Sequence, residues 1–207
     1  MNIPMTEHYF SSKPKVLFRK ESFDTVLLGN KIMINSGSGI FSMKELDFGT
    51  KLLIENAKIP KQDSSILDLG CGYGIVGISI KKANPQTDVV MVDVNDRAVK
   101  LAKDNCRENN VSMTVLKSDV FSNPGVSDKK FDVILTNPPF SAGKDVCIEF
   151  IRQSFDHLNP TGLFELVAPH NKGGESLKKI MLEIFGNVDE LAKKSGYRVY
   201  FSIKEQI

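Results

Sequence analysis

Apolar and polar positions follow two different patterns along most of the chain. From residue 64 onward, short runs rich in β-branched residues are separated by segments whose apolar side chains recur at helical spacing. The runs predict buried strands, and the helical spacing predicts helices with one buried face. The predicted strands are 66–69, 88–92, 113–116, 131–135, 163–167, 188–192 and 197–203, and the predicted helices are 74–82, 96–108, 146–157 and 176–185.

Strands that alternate with helices in this way predict βαβ units and an α/β fold with a doubly wound, mostly parallel sheet. Residues 64–207 form this predicted core, and 197–203 closes it as the last strand. The run 188–192 is interpreted as a strand, although a helix is an alternative. A parallel open sheet binds ligands at the carboxyl ends of its strands, so candidate functional residues are expected in the loops that follow them.

Residues 1–63 form an N-terminal extension, which we expect to pack on the core as part of the same domain. Two apolar runs between residues 25 and 35 flank Gly29-Asn30, which predicts a β-hairpin. The segment 42–45 has the spacing of a capping box and predicts a helix from there to about Ala57.

Composition narrows the classes of protein without choosing one. The chain has 207 residues, 41% of them hydrophobic and 25% charged, which is enough for one globular domain with a sizeable core. A net charge of +2 is compatible with nucleic-acid contact but does not require it. No signal pattern or apolar run of membrane length occurs, so we expect a soluble, cytoplasmic protein without a membrane partner.

The metal-binding residue types are scattered. The three cysteines, Cys71, Cys106 and Cys147, form no C-x-x-C pair, and the three histidines have no metal-ligand spacing. We therefore expect reduced thiols and no metal.

The loop after the first core strand matches two nucleotide-binding patterns. Residues 72–77 fit the dinucleotide fingerprint G-x-G-x-x-G, with Asp93 downstream. Residues 68–72, D-x-G-x-G, instead fit the loop of S-adenosylmethionine enzymes. In both cases glycines permit a tight turn and close approach of a ligand to the backbone.

The charge of Asp68 separates these two patterns. A dinucleotide would bring a pyrophosphate to this turn, and two like charges about 4 Å apart repel by roughly 4 kcal/mol at an effective dielectric constant near 20. S-adenosylmethionine brings an ammonium and a sulfonium instead, which favours it as the cofactor, with S-adenosylhomocysteine as the product. The alternative is that Asp68 only caps the loop. The predicted cofactor-binding residues of this loop are Asp68, Gly70, Cys71, Gly72 and Gly74.

Two further loops offer cofactor contacts. Asp93 ends the second core strand, where a carboxylate can accept both ribose hydroxyl protons. Asn95 is either a helix N-cap or a cofactor contact. After the third strand, Asp119 is placed to receive an adenine amino group and Val120 to cover the ring, unless Asp119 is simply solvated.

The loop after the fourth core strand, Asn137-Pro138-Pro139-Phe140, carries the candidate chemistry. An amino group conjugated to a ring or carbonyl is a poor nucleophile, because its lone pair is delocalised. Two acceptors, the Asn137 side-chain oxygen and the Pro138 carbonyl, can hold its two N–H groups and turn the nitrogen toward tetrahedral geometry. The prolines stiffen the loop, and Phe140 can stack on a flat substrate. The alternative is an ordinary turn.

These motifs resemble those of the small-subunit ribosomal RNA guanine-N2 methyltransferases, and compact single-domain relatives of their catalytic half. The resemblance covers most of the chain. The matching segments are His8-Tyr9-Phe10-Ser11 with Pro14, Gly39-Ile40-Phe41-Ser42, Asp47-Phe48-Gly49-Thr50, residues 68–74, Asp93-Val94-Asn95, residues 137–140, Gly143-Lys144, Phe185-Gly186-Asn187-Val188 and Ser195-Gly196-Tyr197-Arg198-Val199.

The resemblance implies a Rossmann-like methyltransferase fold with seven strands, the last antiparallel, and a base held by residues 137–140. It also implies that Val94 contacts the cofactor and that Phe41 lies over it. The best-known bacterial members of the family carry a second, degenerate methyltransferase-like domain before the catalytic one, which helps to bind RNA, and we expect this chain to lack it. Asn-Pro-Pro-aromatic loops also occur in DNA adenine and protein glutamine methyltransferases, so the motif indicates a nitrogen target better than a substrate.

The expected partner is RNA, with ribosomal RNA favoured, and the chain is expected to be a monomer or a dimer. Lys144 and Lys172 follow strand ends and are candidate phosphate contacts. Basic residues interleaved with aromatics near the N-terminus are either an RNA surface or a solvated face with the rings turned inward: Tyr9, Phe10, Lys13, Lys15, Phe18, Arg19 and Lys20. Alternative functions are methylation of a protein glutamine, a DNA adenine or a small-molecule amine, an RNA-binding module without turnover, and a nicotinamide dehydrogenase.

Overall fold

The structure, a computed structural model, describes residues 20–38 and 45–206. Within this part of the chain, the strands are β1 (Lys20–Leu27), β2 (Asn30–Gly37), β3 (Ser65–Leu69), β4 (Asp88–Asp93), β5 (Thr114–Lys117), β6 (Phe131–Thr136), β7 (Leu158–Pro169), β8 (Asp189–Lys194) and β9 (Tyr197–Ile203). The α-helices there are α1 (Phe48–Asn56), α2 (Ile75–Ala83), α3 (Asp96–Glu108), α4 (Pro124–Ser127), α5 (Lys144–His157) and α6 (Gly174–Phe185).

The core is a seven-stranded sheet with the order β5-β4-β3-β6-β7-β9-β8. Strands β3 to β7 run parallel to one another, while β9 is antiparallel to both β7 and β8. The predicted doubly wound α/β fold with an antiparallel last strand is confirmed. Chain order reverses between β3 and β6, and this switch point is where open α/β sheets form their ligand crevice.

Alternate side chains of the central strands enter two apolar clusters, one on each face of the sheet. Ile66 of β3 and Met91 of β4 pack in the cluster that contains helices α1, α2 and α3. Leu67 of β3 and Val90 of β4 pack in the cluster that contains α5 and α6. Because both faces are covered, the middle of each strand is mostly apolar, which explains why they could be predicted as buried runs.

The predicted N-terminal hairpin is present as β1 and β2, but its turn lies one residue earlier than expected. Leu27 pairs with Asn30, so Leu28 and Gly29 form the turn, and both have positive φ, 49° and 77°. A two-residue hairpin turn of this type requires positive φ at both positions. Asn30 serves as a strand residue whose side-chain amide donates to Leu28 O at 3.0 Å.

Asn105 of α3 and Asn109, the C-cap of the same helix, attach the hairpin to the core. Asn105 Oδ1 accepts from Asn35 N at 2.8 Å, and Asn105 Nδ2 donates to Asn35 O at 2.8 Å. Asn109 makes the same pair of bonds with the backbone of Met33, at 3.0 and 2.7 Å. One helix face thus satisfies the edge of β2 in the way a neighbouring strand would. The domain boundary at residue 63 stays a prediction.

Two local predictions were wrong. The helix expected from residues 42–45 is α1, which begins at Phe48, because Asp47 is its N-cap and accepts from Thr50 N at 2.8 Å. Residues 42–44 lie outside the described part of the chain. The turn-rich segment at Asn123 is the short helix α4, with Asn123 as its cap and Pro124 at its first position, where proline is tolerated.

Within residues 20–38 and 45–206, no helix is long and apolar enough to cross a membrane. The same residues contain no group of three or more His, Cys, Asp or Glu side chains that could hold a metal ion. Cys71, Cys106 and Cys147 are all buried and free.

Glu165 of β7 makes stability depend on pH. Its side chain is fully buried, Oε1 accepts from Lys58 N at 2.9 Å, and Oε2 has no hydrogen-bond partner in the described chain. Burial raises the pKa of this carboxyl from 4.5 to about 8. Protonation therefore stabilises the fold below the unfolded pKa, and this contribution is lost as pH rises to about 8.

We expect the free energy of unfolding of the wild type to fall relative to that of Glu165→Gln by up to about 1.4 kcal/mol per pH unit in this window. Glutamine is isosteric with the protonated acid, keeps the acceptor for Lys58 N and does not titrate. Urea unfolding of both proteins across the window measures the difference. Parallel pH profiles would contradict the assignment.

Candidate active site

A cavity of about 510 Å³ opens at the carboxyl ends of the parallel strands, next to the switch point between β3 and β6. Most of the predicted site residues line it: Asp68, Gly70, Cys71, Gly72, Asp93, Val94, Asp119, Val120, Asn137, Pro138, Pro139 and Phe140. Gly74, Lys144 and Lys172 do not, and Phe41 lies outside the described residues. Residues from four loops, distant in sequence, thus meet at one edge of the sheet.

The glycine-rich loop is fixed to the neighbouring strand. Gly70 N and Cys71 N both donate to Val92 O of β4 at 2.9 Å. Gly72 N donates to Asp93 Oδ2 at 2.9 Å. Gly70 and Gly72 have φ values of 75° and 57°, in the region that glycine adopts without strain. The shape of the loop is therefore fixed by bonds from its backbone N–H groups to β4.

Gly74 and Gly77 act through packing. Gly74 is the N-cap of α2 with φ 87°, and a Cβ there would lie 3.1 Å from the Ala102 side chain. A Cβ at Gly77 would lie 2.5 Å from Met91 Sδ, so only glycine lets α2 approach the sheet this closely. Gly74 does not line the cavity, so its predicted cofactor contact stays a prediction; the residue fixes where α2 begins.

Asp68 makes a structural hydrogen bond, and its buried carboxylate would be stabilised by a nearby positive charge. Its Oδ2 accepts from Gly77 N at 2.9 Å, within the first turn of α2, so the capping alternative is part of its role. The side chain is buried, and burial, with a smaller effect of the Asp93 carboxylate, raises the pKa of Asp68 to about 7. A cation bound beside Asp68 would offset the cost of a buried carboxylate. The cavity thus fits a ligand that brings positive charge.

Asp93 also braces the loop while it lines the cavity. Its Oδ1 accepts from Asn95 N at 2.8 Å, opposite the bond from Gly72 N to Oδ2. A carboxylate at this position is the type of acceptor that ribose hydroxyls require. Asn95 does not line the cavity; its side chain accepts from Arg97 N at 2.9 Å and caps α3. Of the two interpretations of Asn95, the cap is the one observed.

The loop after β5 places Val120 in a strained conformation at the cavity. Val120 has φ 49°, which β-branched residues rarely adopt and which costs on the order of 1–3 kcal/mol. Ser118 Oγ donates to Val120 O at 2.8 Å and accepts from Asn123 N at 3.1 Å, which holds this backbone. Val120 is buried and Asp119 is exposed at the cavity rim.

The corner after β6 is held by its own backbone and by β3. Thr136 Oγ1 donates to Leu69 O at 2.8 Å, which joins the ends of the two central strands. Phe140 N donates to Pro138 O at 2.9 Å across Pro139, whose φ and ψ of −77° and 78° are those of an inverse γ-turn. The Pro138 carbonyl keeps its second lone pair for another donor.

Asn137 is oriented by residues that the sequence did not identify as functional. Its Nδ2 donates to Thr50 Oγ1 at 2.9 Å and to Asp47 Oδ2 at 3.2 Å. Asp47, Thr50 and Tyr197 all line the cavity. The only signal for them was their place in the segments that resemble the methyltransferase family, which gave them no role.

The rim carries the candidate substrate contacts. Phe140 is half-buried, and a Cβ at Gly173, in the loop after β7, would lie 3.8 Å from its ring. Lys144 begins α5 and Lys172 ends a short 3₁₀ turn, His170–Lys172. Both lysines are exposed and follow strand ends beside the cavity without lining it.

A cavity that joins a buried carboxylate to a rigid amide corner suits a cationic methyl donor and disfavours a pyrophosphate. Fold and site together define an S-adenosylmethionine-dependent methyltransferase of the Rossmann-like class. Comparison with protein families agrees, because the family model described as "Methyltransferase small domain" matches residues 31–201. The chain belongs to this family.

Two of three individual relatives are named as methyltransferases. The chain is 38% identical to the uncharacterized protein YbxB of Bacillus subtilis, over 94% of this chain and 97% of that protein. It is 36% identical to ribosomal RNA small subunit methyltransferase C of Mannheimia succiniciproducens, over 82% of this chain and 50% of that enzyme. A 16S rRNA N2 methyltransferase from T. thermophilus, solved with AdoMet and guanosine, superposes with a TM-score of 0.77 at 28% identity, over 92% of this chain and 51% of that one. The chain spans about half the length of these two rRNA enzymes.

The raised pKa of Asp68 predicts pH-dependent binding of the cofactor product. Below about pH 7 the free protein holds a proton on Asp68, which a bound ammonium group displaces. We expect the affinity for S-adenosylhomocysteine to fall about ten-fold from pH 8 to pH 6, with proton uptake on release. Calorimetry in buffers of different ionisation enthalpy measures both. Asp68→Asn is the control, with weaker binding and no such dependence; equal wild-type affinities at the two pH values would refute the assignment.

Proposed function

We propose that this chain methylates the exocyclic amino nitrogen, N2, of a guanine in RNA, with ribosomal RNA as the favoured target. The observation that carries the proposal is the corner at Asn137 and Pro138, which lines the cavity with two oxygen acceptors on a backbone fixed to β3. Such a pair of acceptors suits an NH₂ group, whereas hydride transfer by a nicotinamide dehydrogenase does not require it.

The cofactor is held by the residues of the first three loops. S-adenosylmethionine supplies, when bound, a methyl group on a positively charged sulfur. Asp68 would hold the ammonium end and Asp93 would accept the ribose hydroxyl protons. Asp119 would accept from the adenine amino group, and Val120 and Val94 would supply apolar contacts to the ring. Cys71 and the loop glycines let the ligand approach the backbone.

Asn137 Oδ1 and Pro138 O then hold the two N–H groups of the substrate nitrogen. Both bonds draw the hydrogens out of the plane of the base, so the nitrogen lone pair leaves conjugation and points along one direction. Because the loop is stiffened by Pro138 and Pro139, this orientation is set before the substrate arrives. The methylated nitrogen becomes acidic and releases its proton to water, so no strong base is needed.

Three observations support RNA guanine as the substrate class. Phe140 presents a ring beside the corner, where an unstacked base can pack. Lys144 and Lys172 are exposed at the rim and suit backbone phosphates. The T. thermophilus relative was solved with guanosine, and the M. succiniciproducens relative is named for ribosomal RNA.

Methyl transfer from labelled cofactor to separate pools tests the substrate class. We expect incorporation into RNA, recovered as N2-methylguanosine after nuclease digestion and mass analysis. The matched pools are DNA of the same cells, ribosomal protein and free small-molecule amines. Label recovered as methylated glutamine or adenine, with none in guanine, would refute the RNA proposal while leaving the nitrogen chemistry standing.

Asn137→Ala tests the role of the corner. Losing one preorganised contact to the reacting group is expected to lower turnover by about 100-fold or more, while affinity for S-adenosylhomocysteine persists. The control is Asn159→Ala, which removes an asparagine that bonds Asp132 at 2.8 Å at the start of β7, far from the cavity. An equal loss of turnover in both variants, or loss of cofactor binding in Asn137→Ala, would contradict the role.

A further inference from the structure

The side-chain amide of Asn137 has only one arrangement compatible with its surroundings. Thr50 Oγ1 donates its own hydrogen to Asp47 Oδ2 at 3.1 Å, so toward Asn137 it presents a lone pair. Asp47 presents a carboxylate oxygen. Both neighbours are therefore acceptors, and only the NH₂ end of the Asn137 amide can face them. A flipped amide would bring its oxygen against a carboxylate.

This arrangement determines which end of the Asn137 amide is available to a substrate in the cavity. The two N–H groups of Asn137 are used by Thr50 and Asp47, and no residue of the described chain donates to Asn137 Oδ1. Since a planar amide carries its oxygen opposite its nitrogen, Oδ1 is turned away from α1 and stays available as an acceptor. The flipped amide would present two donors to a substrate NH₂, which has donors of its own.

The first turn of α1 is itself held in place. Asp47 accepts from Thr50 N at 2.8 Å as the N-cap, so one carboxylate oxygen serves both the helix and Asn137. The ring of Tyr197 lies against Gly49, where a Cβ would come within 2.8 Å of it. Phe48 packs on the same ring, with centroids 5.6 Å apart. The acceptors for Asn137 are thus anchored to both α1 and the start of β9.

We infer that Asp47 and Thr50 are positioning residues, which hold Asn137 Nδ2 so that Oδ1 faces the substrate nitrogen. The inference rests on the proposed function, since it assigns these residues to the same amino-group chemistry. Helix capping alone would explain the bond from Thr50 N, but it does not require the Thr50 hydroxyl. The hydroxyl therefore separates positioning from capping.

The first test compares Thr50→Val with Thr50→Ser. Valine keeps the shape and the backbone N–H but removes the acceptor, whereas serine keeps the hydroxyl and loses a methyl group. We expect Thr50→Val to lower kcat about ten-fold or more, with KM for RNA and affinity for S-adenosylhomocysteine within about two-fold of wild type. Thr50→Ser restores kcat to within about two-fold of wild type, although it has the smaller buried side chain.

Thr87→Val is the matched control. Thr87 is also buried, and its Oγ1 donates to Asn84 O at 2.8 Å, before β4 and outside the cavity lining. Removing this hydroxyl costs a comparable hydrogen bond and is expected to leave kcat unchanged. Equal kcat in Thr50→Val and wild type, or a loss in Thr50→Val that Thr50→Ser shares, overturns the inference.

A second measurement does not depend on turnover. In ¹⁵N-labelled protein, the side-chain NH₂ signals of Asn137, identified by their loss in Asn137→Ala, are expected to exchange with water more slowly than those of exposed Asn110. Exchange as fast as that of Asn110 overturns the inference. Because this measurement uses the wild-type protein, it remains decisive even if Thr50→Val fails to fold. If the Asn137 signals exchange slowly but the protein methylates no RNA, the proposed substrate is refuted, while the orientation of the Asn137 amide is still supported.

Discussion

The arrangement of the site depends on the side-by-side pairing of β3 and β6. Leu67 lies opposite Ile134 and Asp68 opposite Leu135 in this parallel pair, so the loop after β3 and the loop that carries Asn137 leave the sheet together. The bond from Thr136 Oγ1 to Leu69 O ties the two strand ends directly. The Asp68 carboxylate and the Asn137 amide come within one cavity because chain order reverses at this pair.

At this edge of the sheet, the fold holds buried carboxylates and a strained backbone conformation, both of which are energetically unfavourable. The fold buries Asp68 and Asp93 in one cavity, and burial raises the pKa of Asp68 to about 7. Val120 is kept at a positive φ by Ser118. Groups held in unfavourable states are typical of ligand sites, because a ligand of opposite charge and fitting shape relieves them. The Asn137 amide is fixed in a different way, by hydrogen bonds from Nδ2 to Thr50 Oγ1 and Asp47 Oδ2.

The sequence predicted most of this because its signals are local. Strand β4 and helix α3 follow from runs of apolar residues and their spacing, and the hairpin follows from one glycine between two such runs. The wrong predictions concerned positions where nearby residues could serve the same role. Asp47, and not a residue of the segment 42–45, is the N-cap of α1, and Leu28 occupies a turn position that was expected for Asn30. The partnership of Thr50 with Asn137 joins residues 87 positions apart, and no local pattern encodes it.

The proposed function requires that Asn137 and Pro138 hold the amino nitrogen that receives the methyl group. A crystal structure of the protein with S-adenosylhomocysteine and guanosine tests it most directly. We expect Asn137 Oδ1 and Pro138 O each to lie about 3 Å from guanine N2, with that nitrogen facing the cofactor sulfur. A base bound elsewhere, or an Asn137 amide whose NH₂ end faces the guanine, would contradict it.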